Sequence, residues 1–513
     1  MIKALIFLRT LPVYWFYLIA VLSKLFIAYY TIDQAYVSEV PESFALCSGD
    51  CQSYIRPIEN LLDYGVYAPD YRMPGYGMIY LPLYALFSQP VALNLLVLVQ
   101  IIVDILATML LMRTVWMITE SRFGLVVCMV LYGIGCTVSV YDKFVLTESI
   151  SASLVVASIY FLVKFKLSNM PWLLALSSLF MTWAYFCRPV VFPLFILLSG
   201  YVIYILYRRN RLMHLIAFAL PFLIIQSLWS ARNYYRHGQL YLLTQTKYYP
   251  FYSQSQMASF SFSAAVSDMK HNYVLPVQPW MNMDRPYGPV EPSMVPQGAY
   301  TPSFTVDSLQ ELQRYGKELV LGSISEQRKH VLDSLIAVKL NRYTASIKEE
   351  HIALVYLQAP AKRLRAHVFK SSGVQFLHLK AFHALTGIEK LLKLGYVAIF
   401  LAALYGTLFF IVGSVFWMRR PFNLFISLCC LYAMLVHPIL LGMSDPRYLY
   451  GFYPLFALAA SLFYSFTMRK ISKQTSTTNG GLNEHGSGGF VEAMDASGSS
   501  LHVPSHPTLS EGS

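Results

Sequence analysis

The chain has 513 residues, 56% of them hydrophobic and only 13% charged, with a formal net charge of +12 at pH 7; its mean hydropathy is +0.48. A soluble globular protein carries roughly a quarter charged residues, so polar surface is too scarce here for a water-soluble fold, and a multi-pass integral membrane protein is expected. The basic excess does not point to nucleic acid. It lies in short clusters at the ends of apolar runs (Lys3 and Arg9; Arg208, Arg209 and Arg211; Arg419 and Arg420; Arg469, Lys470 and Lys473), the pattern that sets cytoplasmic sidedness.

Taken in chain order, apolar runs near the ~20 residues needed to cross a bilayer predict about ten spans, over 11–31, 91–112, 123–140, 149–165, 171–187, 189–207, 212–230, 393–417, 422–441 and 447–467. The first run, Leu11 to Tyr30, lacks a small-residue cleavage site and is expected to stay as an anchor. The loop over 32–90 is acidic near its start (Asp33, Glu39, Glu42, Asp50, Glu59, Asp63, Asp70) and holds two helical stretches, Ile55–Tyr64 and Gly77–Phe87. The second is too short to span and reads as a helix lying in the interface. In the loop over 233–390, Pro250–Pro302 is rich in Pro, Ser, Tyr and Met and shows no period. Asp307–Tyr343 repeats apolar residues at Leu309, Leu312, Leu319, Leu332, Leu335, Ile336 and Val338, which predicts amphipathic helices and a small, mainly helical outer domain. The tail after Lys473 is rich in Ser, Gly and Thr and is expected to be disordered.

Basic residues recur on alternate loops (Arg113/Arg122, Lys164/Lys166, the Arg208 cluster, Arg419/Arg420, Arg469/Lys470). Both termini are therefore expected in the cytoplasm, with both long loops outside the plasma or inner membrane. The organisation expected is an N-terminal transmembrane module over 1–232, an outer unit over 233–390, C-terminal spans over 391–468 and a cytoplasmic tail over 469–513.

Cys128, Cys136, Cys187, Cys429 and Cys430 lie in or beside apolar runs and read as small core residues. Cys47 and Cys51 flank Asp50 on the oxidising outer face, where a disulfide between them competes with two free thiols at a separation tight for the bond. Lys24 and Asp104 fall within spans one and two, at depths differing by roughly 5–10 Å at 1.5 Å per residue. An isolated charge there is costly, so an ion pair is expected, the alternative being a lysine that snorkels alone.

Charged residues cluster at the outer ends of spans, in Gly49-Asp50 with Tyr54, Tyr71-Arg72 with Tyr76, Asp142-Lys143 with Thr147-Glu148-Ser149, Arg188-Pro189, Trp229 with Arg232-Asn233, and Asp445-Pro446-Arg447-Tyr448. All fall on one predicted side, the constellation of an active site facing outward at the membrane surface. Each also has a plainer reading: interfacial anchoring for the arginines, helix capping for Asp142 and Glu148, and packing for His437.

The run from Asp50 through IENLLDYGVYAPDYRMPGYGMIYLPLYALF resembles the first outer loop of the GT-C glycosyltransferases. The branch is the one related to protein O-mannosyltransferases and lipid A aminoarabinose transferases (family 39-like). Thr147-Glu148-Ser149, Arg188-Pro189, Trp229-x-x-Arg232-Asn233 and Asp445-x-Arg447-Tyr448 follow in similar order, and the likeness covers about 35–240 and 430–465. It implies an all-α polytopic membrane protein of GT-C type. It also implies sugar transfer with inversion from a polyprenyl-phosphate donor to an acceptor hydroxyl of a glycan, lipid or protein. On it Asp50 is the catalytic base, while Arg447, Arg72, Arg232 and Tyr448 hold the donor phosphate. Asp142, Glu148, Arg188, Tyr54 and Tyr76 are supporting residues or possible ligands of metal or acceptor. Family members often hold a divalent metal ion; where some use an acidic–lysine pair, this chain has Arg72-Met73. The rival reading is a multi-pass secondary transporter, which ten spans and intramembrane charges would suit, although no pair of matching Gly/Pro-interrupted halves is visible.

Overall fold

The structure, a computed structural model, describes residues 11–33, 40–47, 50–70, 72–238, 240–243, 253–266, 300–321, 323–369, 374, 380–440, 442 and 447–479. Lys3, Arg9, Tyr71, Asp445, Pro446 and the tail from 480 onward, all named above, lie outside them. Among the described residues the fold is all-helical, with isolated bridges and no strand.

Among the described residues, eight helices are long and apolar enough to cross a membrane: Val13–Thr31, Gln89–Thr119, Arg122–Tyr141, Glu148–Ser168, Pro189–Arg208, His214–His237, Gly387–Phe416 and Pro421–Leu440. Two more helices, Pro171–Cys187 and Tyr453–Asn479, stand at the remaining expected span positions; the first has only 17 residues. The last helix runs on to Asn479, past the expected start of the tail at 469.

Their limits follow local chemistry. Proline at the first turn starts Gln89–Thr119, Pro171–Cys187 and Pro421–Leu435, where its missing N–H leaves no bond unmade. Thr386 and Glu389 form a reciprocal capping box at Gly387–Phe416. Gly238, at φ +67°, ends His214–His237 in the left-handed conformation that glycine adopts without strain.

We label Val13–Asp33 α1, Cys51–Tyr64 α2, Gly77–Leu86 α3, Gln89–Thr119 α4, Arg122–Cys128 with its π-helical extension Met129–Ile134 α5, Glu148–Ser168 α6, Pro171–Cys187 α7, Phe192–Arg208 α8 and His214–His237 α9. α6 is the centre of the bundle, buried without interruption from Glu148 to Ile159. It packs along α7, where Ser158 and Ser177 each donate to the other's carbonyl oxygen (2.8 and 2.9 Å); small hydroxyl residues let membrane helices approach closely. α1 and α9 form the rim and turn large apolar side chains outward, Tyr29 at 73% and Leu228 at 68% exposure. In a bilayer that surface is solvated by lipid.

The expected charge pair forms. Lys24 Nζ lies 2.8 Å from Asp104 Oδ2, both side chains fully buried. Lys24 also donates to Ser139 Oγ (2.6 Å), which donates on to Asp104 Oδ2, and Tyr132 donates to Asp104 Oδ1.

The 233–390 segment has its own core among the described residues. Ser253–Val266 (α10), Val306–Leu321 (α11) and Glu326–Glu350 (α12) bury Phe262, Phe304, Leu309, Leu312, Leu332, Ile336 and Leu340 together. Val338, expected in that stripe, is 63% exposed, because it lies off the face that Leu332, Ile336 and Leu340 share at helical spacing. Ala359–Phe369 (α13) docks on the bundle: Arg363 donates to Pro438 O (2.9 Å) and Ala264 O, and His367 Nε2 lies 3.2 Å from Ala433 O. It thereby holds the carbonyl end of Pro421–Leu435 (α15) and the π-turn Val436–Leu440. Gly387–Phe416 (α14), Arg447–Tyr450 (α16) and Tyr453–Asn479 (α17) complete the fold.

Candidate active site

Five segments far apart in the chain come together where α2 begins: 46–47 with 50–54, 72–75, 143–148, 186–188 and 447–448. The strand-like stretch before it is stitched to the loop between α5 and α6: Leu46 N donates to Lys143 O (2.8 Å) and Val145 N to Leu46 O (2.9 Å). Cys47 and Cys51 are joined as a disulfide, closing a short loop around Asp50. Denatured protein should therefore show two more titratable thiols after reduction than before, and an unchanged count would exclude the bond.

Asp50 stands at the start of α2 without capping it by its side chain. Its carboxylate instead faces two guanidinium groups from opposite ends of the sequence. Arg72 Nη2 donates to Oδ1 at 3.2 Å, and Arg447 Nη1, from α16, lies 3.5 Å from Oδ2. Asp50 is 44% exposed there. Arg72 is held by three further features: Nε donates to Ser53 Oγ (3.1 Å), the guanidinium lies 4.8 Å from the Tyr54 ring centroid, and its carbonyl accepts from Tyr67 (3.1 Å).

The loop that carries Arg72 is wedged against the end of α7. Gly75 N donates to Phe186 O (3.2 Å), and Trp183 Nε1 donates to Gly75 O (2.9 Å). A Cβ at Gly75 would sit 2.5 Å from the Phe186 carbonyl carbon, and backbone cannot swing aside as a side chain can. Gly75→Ala should therefore destabilise the protein by about 1–3 kcal/mol, the usual cost of overpacking, read as a lower unfolding midpoint in detergent. An unchanged midpoint would mean that the loop shifts freely.

Behind Asp50 lies a second, buried pair. Arg188, just after α7, places Nη1 2.9 Å from Oε1 of Glu148, the first residue of α6. Burial disfavours the Arg188 charge, but Glu148 outweighs it and raises the pKa. Thr147 at the helix start makes no side-chain cap, so Glu148 serves as an ion-pair partner. Arg188 also lies 5.4 Å from the Tyr448 ring centroid, and His437 stacks on that ring at 4.4 Å. Tyr54 joins the two pairs: burial pushes its phenol up despite Arg72, and it also feels Glu148 and Arg188.

The remaining expected residues take other places. Tyr76 is buried, edge-on to Tyr54 (5.5 Å), and donates to Gln100 Oε1 (3.1 Å). Gln100 in turn donates to the Asp142 and Phe144 carbonyls, so this tyrosine buttresses the loop. Asp142 is buried and accepts from Ser149 Oγ. Burial first, then Asp104, pushes its carboxyl well above the usual range, which makes it part of the Lys24–Asp104 network. Arg232 does not reach Asp50. It donates to Asp70 Oδ2 (3.0 Å) and Tyr67 O (3.2 Å) and packs on Tyr67 and Trp229. His237 Nε2 lies 2.7 Å from the same Asp70 oxygen. Ser53 belongs to the outer-boundary stretch Gln52-Ser53-Tyr54 that the sequence marks beside Asp50, whereas Asp70, His237 and Gln100 carry no such mark. Only the acidity of the first loop hinted at Asp70.

A resident divalent ion is a poor match for these groups. Asp50, Glu148 and Asp70 each already face a guanidinium. Among the described residues no cluster of three His, Cys, Asp or Glu side chains is placed to coordinate a metal.

No protein-family model matches the chain, and no curated protein matches it. Two solved structures are similar in overall course. One is the archaeal oligosaccharyltransferase AglB from Archaeoglobus fulgidus in complex with an inhibitory peptide and a dolichol-phosphate (13% identity, 92% of this chain and 52% of that chain covered, TM-score 0.47). The other is the Archaeoglobus fulgidus oligosaccharyltransferase in the apo form (11% identity, 92% and 53% covered, TM-score 0.47). The chain spans about half the length of either.

Proposed function

We propose that the protein is an inverting glycosyltransferase of GT-C type that moves a sugar from a polyprenyl-phosphate donor to an acceptor hydroxyl at the outer face of the membrane. The observation that carries this reading is the half-exposed Asp50 carboxylate held between Arg72 and Arg447. Two arginines brought from separate loops form a planar, always-charged receptor for a phosphate. The carboxylate between them is displaced toward the acceptor when phosphate takes its place, and there it can accept the hydroxyl proton as the new glycosidic bond forms. The departing phosphate needs charge neutralisation more than protonation, and the arginines supply it. Tyr54, kept neutral by burial, and Tyr448 line the route between the phosphate end and Glu148–Arg188. On this reading both termini are cytoplasmic, and Arg232 holds the Asp70 loop instead of the phosphate.

Incubating membranes that contain the protein with labelled polyprenyl-phosphate sugar tests this reading. A transferase moves label from the lipid to a second product. The transporter reading draws on the buried Lys24–Asp104 pair and predicts label that stays on the lipid. Arg447→Ala should weaken donor binding and turnover together, by about tenfold or more in kcat/KM, because it removes a charge that the phosphate meets in both ground and transition states. Loss of turnover with unchanged donor binding would reassign Arg447.

A further inference from the structure

The Glu148–Arg188 pair and His437, which stacks on Tyr448, leave three buried side-chain atoms without a hydrogen-bond partner: Glu148 Oε2, Arg188 Nη1 and His437 Nδ1. Glu148 engages Arg188 through Oε1, but its other oxygen, Oε2, is buried and has no hydrogen-bond partner. His437, 1% exposed in the π-turn Val436–Leu440, likewise leaves Nδ1 buried and unpartnered. A buried polar atom left unpaired costs about 1–3 kcal/mol, and such atoms are few in folded proteins. Here the Tyr448 ring links them: Arg188, the ion-pair partner of Glu148, lies 5.4 Å from its centroid, and His437 stacks on it at 4.4 Å. Hydrophobic packing explains none of them.

The chemistry of these atoms is selective. Glu148 Oε2 only accepts, and His437 Nδ1 accepts or donates according to tautomer. A phosphate, which only accepts, would satisfy Arg188 Nη1 but is repelled by the Glu148 carboxylate beside it. A hydroxyl, which both donates and accepts, satisfies any of the three. From this we infer that Glu148 and His437, set around Arg188 and Tyr448, form a subsite that reads the hydroxyl groups of the donor's sugar ring, separate from the phosphate end at Arg72 and Arg447. The inference rests on the glycosyltransferase reading above. It adds an orientation: the lipid phosphate lies over the loop arginines, and the sugar points inward past Tyr54 toward α6.

The test uses the full-length protein in detergent and two constants. The first is KM for whichever synthetic hexosyl or pentosyl polyprenyl phosphate the wild type turns over fastest. The second is the inhibition constant of the same polyprenyl phosphate without a sugar. His437→Phe keeps a ring to stack on Tyr448 and removes Nδ1. It should raise KM about tenfold, the cost of one well-made hydrogen bond, and leave the inhibition constant of the sugar-free lipid unchanged. Arg447→Ala should raise both. His437→Asn sets an amide near the position of Nδ1 and should recover most of the loss, whereas His437→Gln, which mimics the other nitrogen, should not. Should the Phe variant fail to fold, the Asn-against-Gln comparison gives the same readout. A KM unchanged in His437→Phe, or KM and inhibition constant rising together, overturns the subsite. A wild-type protein that turns over none of the donors overturns the glycosyltransferase reading instead.

Discussion

Asp50→Asn should insert and fold as the wild type does, bind the lipid-phosphate sugar, and turn over about 10²–10⁴-fold more slowly, the usual cost of removing a general base. The substitution is nearly isosteric, and the amide oxygen can still accept from Arg72 although the amide nitrogen cannot accept from Arg447; Ser53, Tyr54 and Tyr67 continue to hold the Arg72 loop. What disappears is the ability to take a proton. An acceptor hydroxyl is a weak nucleophile until its proton leaves, and Asp50 is the exposed carboxylate at the arginines, whereas Glu148 is buried against Arg188 and Asp70 is held by Arg232 and His237. Loss of one negative charge between two guanidinium groups should also leave donor binding unchanged or tighter, so kcat falls while KM does not rise. An Asp50→Asn protein that transfers sugar at near wild-type rate would remove Asp50 from the mechanism.

The second large effect concerns stability. Removing one partner of a buried ion pair typically costs about 3–5 kcal/mol, because the other charge is left in low dielectric. Lys24→Met should therefore lower the unfolding midpoint severely, and Asp104→Leu should do the same. Combined, the two should lose much less than the sum, since Met and Leu can pack where the pair stood. Ser139 and Tyr132, which both donate to Asp104, limit the recovery because their hydroxyls then lack that acceptor. Strictly additive losses would mean that the two charges are stabilised separately.

Much of this architecture is legible from one-dimensional pattern. Hydropathy places helices at all ten expected span positions, since apolar length is the requirement the bilayer imposes. Ile55–Tyr64 and Gly77–Phe87 emerge as α2 and α3 with ends shifted by only a few residues. The Lys24–Asp104 pair is legible because two charges at similar depth in neighbouring spans have few other ways to be satisfied. Val338 shows where pattern reading slips: one apolar residue among many adds to a stripe on paper, whereas helical geometry decides which face it occupies. The last helix runs past 469 despite a polar sequence, because the turns preceding that stretch are already ordered by packing and propagation costs little.

The candidate site is legible as a set of residue types, less so as a set of partners. Arg72, Arg188, Arg232 and Arg447 look alike in sequence, each within two residues of an aromatic residue and near the end of an apolar run. Their roles separate only through the carboxylates that reach them. Asp70 claims Arg232, Glu148 claims Arg188, and Asp50 takes the other two. Which loop meets which is a property of tertiary packing, here of Gly75 wedged on Phe186 and of α13 gripping the π-turn that precedes Arg447. Neither contact leaves a local signature.

The meeting of Asp50 with Arg447 has a consequence for how the protein is made. While the nascent chain is threaded into the membrane, Asp50 and Arg72 are delivered with the first helices, but the other half of the clamp arrives only when the final helices leave the ribosome. A partly synthesised chain thus carries the carboxylate with one counter-ion missing. On the proposed reading, a chain ended anywhere before α16 inserts with the clamp half built and transfers no sugar.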